Sequence, residues 1–336
     1  MKRAFTILVG IFFVFAVGAQ CQDSVPLKLV QTYKLAPDVK GNFDHFAIDL
    51  AGNRLFATPE AYKAVLVLDI KTGNVIHKIT GIEKPHAILY REDLKRLYVT
   101  DGEAGDVKIV DGVSYAVLSS IKLLEDADSI GYDPVTKYLY IDNGGGDVHQ
   151  TYSMLSVVDT TAGKKVADIK IDGDTLEAMA MEKSGSKIYV NNKAKSQVDV
   201  IDREKRTLIV SWPITKAKTN VAMAYDEASH RLFIACRSGG IVVLDTQTGK
   251  EITVLPITKG VDDLVFDAAK KRLYASCDGD ASVYQQNDPD NYKLLAKVLT
   301  GPLGRTALLV PQLNRYFLAV PQNGTNNAKV LVFEVQ

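Results

Sequence analysis

A chain of 336 residues with 40 basic and 40 acidic side chains carries no formal net charge, and without Lys2 and Arg3 the balance is 38 to 40. That excludes the basic surplus needed to hold a phosphate backbone, so nucleic acid is not an expected partner. Three cysteines are too few for a disulfide framework.

The chain begins with a positive head at Lys2 and Arg3, an apolar run over residues 4–17, and the small residues Val17-Gly18-Ala19 before Gln20. This is the pattern of a secretory signal peptide over residues 1–19, cleaved after Ala19. The run is shorter than the ~20 residues that span a bilayer. A lipid-anchored Cys21 is the alternative, but Gln20 stands where that signal wants Gly or Ala. No later apolar run is long enough to cross a membrane. A periplasmic or secreted protein is expected, with residues 20–336 as its single domain.

The stretch Lys95-Arg96-Leu97-Tyr98-Val99-Thr100-Asp101 is the unit around which the rest of the chain is organised. Related strands start at Leu55, Leu97, Leu139, Ile188, Leu232, Leu273 and Tyr316, in steps of 42, 42, 49, 44, 41 and 43 residues. Each copy opens with an apolar strand such as Ala87-Ile88-Leu89-Tyr90, followed by a polar turn. An acid (Asp49, Asp133, Glu182, Asp226 or Asp267) often stands six residues before the aligned Leu or Ile. A third strand ends in Asp (Asp69, Asp111, Asp159, Asp202, Asp245), a Gly-bearing turn reverses the chain, and a fourth strand closes the unit. A period near 40–45 residues with four short strands per copy predicts an all-β fold, a β-propeller of seven four-stranded antiparallel blades. The last copy has no sequence left for its fourth strand, whereas residues 27–35 form a strand with no blade of its own. Pairing the two closes the ring and removes two exposed sheet edges.

Leu97-Tyr98-Val99-Thr100-Asp101 and Ile188-Tyr189-Val190-Asn191-Asn192 resemble the repeat of the YVTN (YncE-like) family of exported seven-bladed propellers. The resemblance runs from about Leu27 to the C-terminus. It departs from the pattern in blade six, where Val283-Tyr284-Gln285-Gln286 replaces the strand ending in Asp, and in blade three, which carries an insertion at Gly144-Gly145-Gly146-Asp147. The resemblance implies fold and export. It implies little about activity, because propellers host many unrelated functions.

In a propeller the first strand of each blade lines the central channel. Aligned on the start of that strand, the copies give Asp44 (then His45), His86, Asp128, Glu177, Val221 (after Asn220), Asp262 (then Asp263) and Arg305. A ring of ionisable side chains is therefore expected at one mouth. Loops after the second strands add Glu60, Asp101, Asn143, Asn192, Arg237 and Asp278 on the same face, and His149 of the blade-three insertion is expected to overhang it. Turn-adjacent acids also solvate a channel mouth with no further role. Imidazole with carboxylates, however, is a ligand set for a divalent cation such as Ca, Mg, Mn or Zn, with His86, Asp128, Glu177 and Asp262 as candidate ligands.

Cys236 and Cys277 share one position in successive blades and are expected to be buried free thiols, because equivalent positions in neighbouring blades diverge too far for a disulfide. His77 and His230 read as surface residues, and Trp212 as packing between blades. No Cys-x-x-Cys-His or Gly-x-Ser-x-Gly motif occurs. Two functions remain: a binding module taking a small molecule or a protein partner at the channel face, or a metal-assisted lactonase, hydrolase or lyase similar to the gluconolactonase-type propellers.

Overall fold

The computed structural model describes Met1 and residues 25–336, so the signal-peptide and Cys21 readings lie outside the described residues. Among the described residues are seven four-stranded sheets, each antiparallel and six of them built from consecutive strands. Blades one to six span residues 43–79, 85–122, 130–172, 176–213, 220–256 and 263–299. The seventh takes its inner three strands from residues 306–335 and its outermost strand from Leu27–Lys34. Leu27 pairs with Val335 and Lys34 with Lys329, which is the closure expected from the missing fourth strand. The described residues also include three short 3-10 turns, one of them (Gly145–Val148) in the blade-three insertion.

The Leu-Tyr repeat follows from the period of a strand. Successive side chains point to opposite faces of a blade, so Leu and the aromatic after it enter different layers. Leu97 packs between blades one and two, whereas Tyr98 packs between blades two and three. Leu139 and Tyr140, Leu232 and Phe233, and Leu273 and Tyr274 divide in the same way. The core is therefore seven apolar layers, each shared by two blades. Trp212 lies in the layer between blades four and five, its ring 5.8 Å from that of Tyr189.

The recurrent acids hold turns. Asp69, Asp111, Asp159, Asp202 and Asp245 each accept backbone N–H groups two and three residues ahead, as at Lys71 (3.0 Å) and Thr72 (2.8 Å). Asp49 accepts Gly52 N–H and the Arg54 guanidinium. Blade six lacks the strand-end acid, and there Asp288 caps a later turn by accepting from Asp290 and Asn291. His77 and His230 are exposed, and His77 stacks on Tyr115. Cys236 and Cys277 are free and buried, in two different layers.

Candidate functional site

The first strands do not deliver their leading residues by simple alternation. In blades one, two, four and five the ladder to the second strand slips at the start of the first, between Phe43 and Phe46, Pro85 and Ile88, Leu176 and Met179, and Asn220 and Ala222. Such bulges re-aim side chains. In blade one Thr58 Oγ1 fills the gap, accepting from His45 N (2.8 Å) and donating to His45 O (3.0 Å). In blade two Thr100 does the same at Ala87 and also donates to the Asp128 carbonyl of blade three. Asp44, His45 and His86 are thereby turned to the mouth.

The mouth is a cavity of about 350 Å³ with side chains from every blade: Asp44, His45 and Glu60; Lys84 and His86; Asp126 and Asp128; Glu177 and Lys193; Arg237; Asp262 and Asp263; and Arg305. Seven carboxylates face four basic side chains and two histidines. All eight ionisable residues of the aligned ring position meet here, joined by Glu60 and Arg237 from the loops.

The charged side chains form two clusters, with Lys84 on the side of Glu60, His86 and Asp126. On one side His86 Nδ1 stands 2.5 Å from Asp44 Oδ2 and 3.5 Å from Asp128 Oδ1. One donor atom from each of these three residues lies within 4.8 Å of the others. His45 Nδ1 is 2.9 Å from Asp44 Oδ1, at an angle that leaves it without a hydrogen-bond partner. Burial opposes the charge on both imidazoles, but Asp44 outweighs it, with Asp128 adding to the pull. His45 is raised to about 10 and His86 to about 9. Asp44 is held well below the usual carboxylate range, because the two histidines overcome its burial. Asp128 goes the other way, raised to about 8 by burial and by the charge of Asp44. Asp263 is raised to about 7, chiefly by burial. On the other side the acids are matched with bases. Lys193 Nζ is 2.5 Å from Glu177 Oε1, and Asp262 lies between Arg237 and Arg305.

Several expectations are corrected. Asn192 is fully buried outside the mouth, donating to the Asp172 carbonyl and to Asp199. Asp101 and Asn143 likewise bind connecting loops, accepting from Glu83, Lys84 and Leu124 N–H, and Asp278 accepts from Leu303 N–H. For the first three the cause is register, whereas Asp278, five after the aligned Leu273, is held away from the mouth by Leu303 N–H. Asp101, Asn143 and Asn192 stand four residues after the aligned Leu or Ile and face the layers between blades. Glu60, Lys193 and Arg237 stand five after it and face the mouth. A shift of one residue reverses the face. His149 is exposed and does not line the cavity. Glu177 and Asp262 do not join His86 and Asp128 in the cluster of candidate ligands, where Asp44 stands instead. Lys84, Asp126 and Lys193 also line the mouth; Lys193 holds the repeat position of Glu60 and Arg237, but the sequence pattern points to Asn192 in its place.

Asp142 is a further acid without a signal in the repeat. It is 3% exposed and its Oδ1 has no hydrogen-bond partner. Burial first, then Asp128 and Glu177, push its carboxyl well above the ordinary range. It occupies the position held by Thr58, Thr100 and Asn191 in neighbouring blades.

Fold and site together define a seven-bladed β-propeller with a charged funnel at one mouth of its channel. Comparison with known proteins narrows this. YncE of Salmonella typhi is 31% identical over 120 residues, covering 35% of this chain and 34% of the relative. The seven-bladed beta-propeller protein Rv1057 of Mycobacterium tuberculosis is 27% identical over 124 residues, 36% of this chain and 31% of the relative. The matched segments thus span about a third of these relatives. Over these segments the chain is similar to the YncE-like seven-bladed β-propellers. The family described as Cytochrome D1 heme domain matches residues 137–262. Among solved structures, Kuenenia stuttgartiensis hydrazine synthase superposes with a TM-score of 0.73 at 18% identity, covering 88% of this chain and 97% of that one. A chain of a mitotic checkpoint complex superposes at 0.72 and 12%, covering 99% of both. Both superpositions speak to the fold alone.

A haem does not fit this mouth. A porphyrin needs broad apolar walls, and these walls are mostly charged.

Proposed function

We propose that this chain is an exported binding protein, with a leader over residues 1–19 and a propeller over 20–336. Its channel mouth takes a small polar ligand together with a divalent cation. The observation that carries the reading is the convergence of Asp44, His86 and Asp128 from three blades, with donor atoms within 4.8 Å of one another. Two carboxylates and an imidazole suit a borderline divalent ion such as Mn²⁺ or Zn²⁺ better than Ca²⁺ or Mg²⁺, which take oxygen ligands. A cation would also relieve the repulsion that holds a proton on Asp128. The test is calorimetric titration of chelator-treated protein with each of the four ions. One Mn²⁺ or Zn²⁺ per chain is expected, lost in Asp44→Asn, and no binding at millimolar concentration would overturn the reading.

A second reading, metal-assisted hydrolysis, draws on one observation: Asp44 and Asp128 share a cavity yet are pushed in opposite directions. Such a pair suits general base and general acid. The ion, when bound, supplies Lewis acidity. In this reading Asp128 keeps its proton at neutral pH and donates it to a leaving oxygen, so the ion is held by Asp44 and His86 without it. Turnover of a simple lactone by the Mn²⁺-loaded protein, abolished in Asp128→Asn, is the outcome that would favour it.

A further inference from the structure

We propose that the ligand of this mouth is a small hydroxycarboxylate, its carboxylate gripped by Arg237 and Arg305 and its hydroxyl groups turned toward the acidic side. This rests on the binding reading above but not on the cation.

Two guanidinium groups share one carboxylate. Nη2 of Arg237 donates to Asp262 Oδ1, and Nε of Arg305 lies 3.3 Å from Asp262 Oδ2. Nε of Arg237 is buried with no acceptor. The Nη groups of Arg305 have no protein acceptor among the described residues, and the Arg305 side chain is 21% exposed where it lines the cavity. This sector therefore carries a surplus of one positive charge, with planar N–H donors left over. Lys193 adds nothing to it, because Glu177 neutralises it at 2.5 Å. A fork of this kind matches a carboxylate in geometry and in charge. A phosphate dianion would bring a second charge with no match, into a cavity already lined by seven acids.

Opposite stand acceptors. Asp44 and Glu60 line the cavity there, and among the described residues the Glu60 carboxylate has neither an ion pair nor a hydrogen bond. Hydroxyl groups donate to such oxygens. The few apolar side chains of the lining, among them Val221, Met223 and Leu264, offer no pocket for a hydrocarbon body. The volume, about 350 Å³, suits a small molecule that is polar along its whole length.

The test uses three four-carbon compounds and inorganic phosphate, titrated calorimetrically into the full mature chain with and without Mn²⁺. Threonate carries both functions, butyrate only the carboxylate, and erythritol only the hydroxyls. Threonate is expected to bind at least tenfold more tightly than butyrate, erythritol or phosphate, and to lose at least tenfold in Arg305→Gln. Butyrate or erythritol matching threonate, phosphate exceeding it, or threonate binding unchanged in folded Arg305→Gln and Arg237→Gln would each overturn the proposal. The comparison of compounds needs no variant, so a misfolded variant does not rescue the idea. Mn²⁺ titrated alone reads the cation separately. Mn²⁺ binding without threonate selectivity defeats only this inference, and threonate selectivity without Mn²⁺ binding defeats only the cation reading.

Discussion

Nδ1 of His86 stands 2.5 Å from Oδ2 of Asp44, although the residues lie 42 positions apart in different blades. That separation is also the step between the first two repeats, so the contact joins equivalent positions of neighbouring blades. Asp44 is the hub, touching both His86 and His45.

Asp44→Asn is therefore expected to weaken Mn²⁺ binding by more than about tenfold, at least the effect of losing a supporting contact to a metal ligand. Glu177→Gln serves as the contrast. Its carboxylate is held by Lys193, so Mn²⁺ affinity should stay within about a factor of two. Calorimetric titration of the two variants side by side checks both halves, and equal losses would place the ion elsewhere.

Stability of the metal-free protein should fall as pH rises from 7 to 10. Asp128 (about 8), His86 (about 9) and His45 (about 10) all hold their protons more tightly folded than at their ordinary values of 3.8 and 6.5. Each contributes stability that is complete below the unfolded value and is lost as pH passes the folded one. Asp44, shifted downward, acts oppositely: its contribution is present above 3.8 and fails only in acid. Melting curves at unit pH steps, compared with His45→Gln, test this. A flat profile from 7 to 10 would contradict the charged cluster.

Asp142→Asn should stabilise the protein, because an amide fills the site of an unpaired buried carboxyl without carrying charge. The gain is expected to be about 1–3 kcal/mol at pH 8. It should shrink toward pH 5, because the unfolded carboxyl ionises readily while the folded one resists it, a mismatch that costs less as pH falls. Urea melts at the two pH values measure it, and a pH-independent difference would refute the assignment.

Removing residues 25–35 should abolish cooperative folding. Leu27, Tyr33 and Leu35 are buried against the last blade and the first, and lose roughly 2 kcal/mol each. The deletion also strips the ladder from Lys329–Val335. A variant that melts like the parent would exclude this closure.

In a Cys21→Ser background, Cys236 and Cys277 should be silent to a thiol reagent in the native state and both react after unfolding. Burial raises each thiol to about 12, leaving almost no thiolate at neutral pH. Reaction of the folded protein within minutes would show that the layers between blades open.

The sequence by itself determined the ring. Blade number, strand count and the N-terminal closure come from local alternation repeated at a fixed step, and each Leu-Tyr pair states which two layers it feeds. The sequence also placed Asp44, His86, Asp128, Glu177, Asp262 and Arg305 at one mouth, because equivalent positions in a closed ring must converge. Only the tertiary structure decided what they do to one another. Whether Glu177 is a free ligand or Lys193's partner depends on a side chain five residues past a strand's aligned Ile rather than four, a difference the bulged ladders hide. The division into an acidic half and an arginine half is likewise a property of contacts across blades. Distances between charges set those interactions, and no spacing along the chain encodes them.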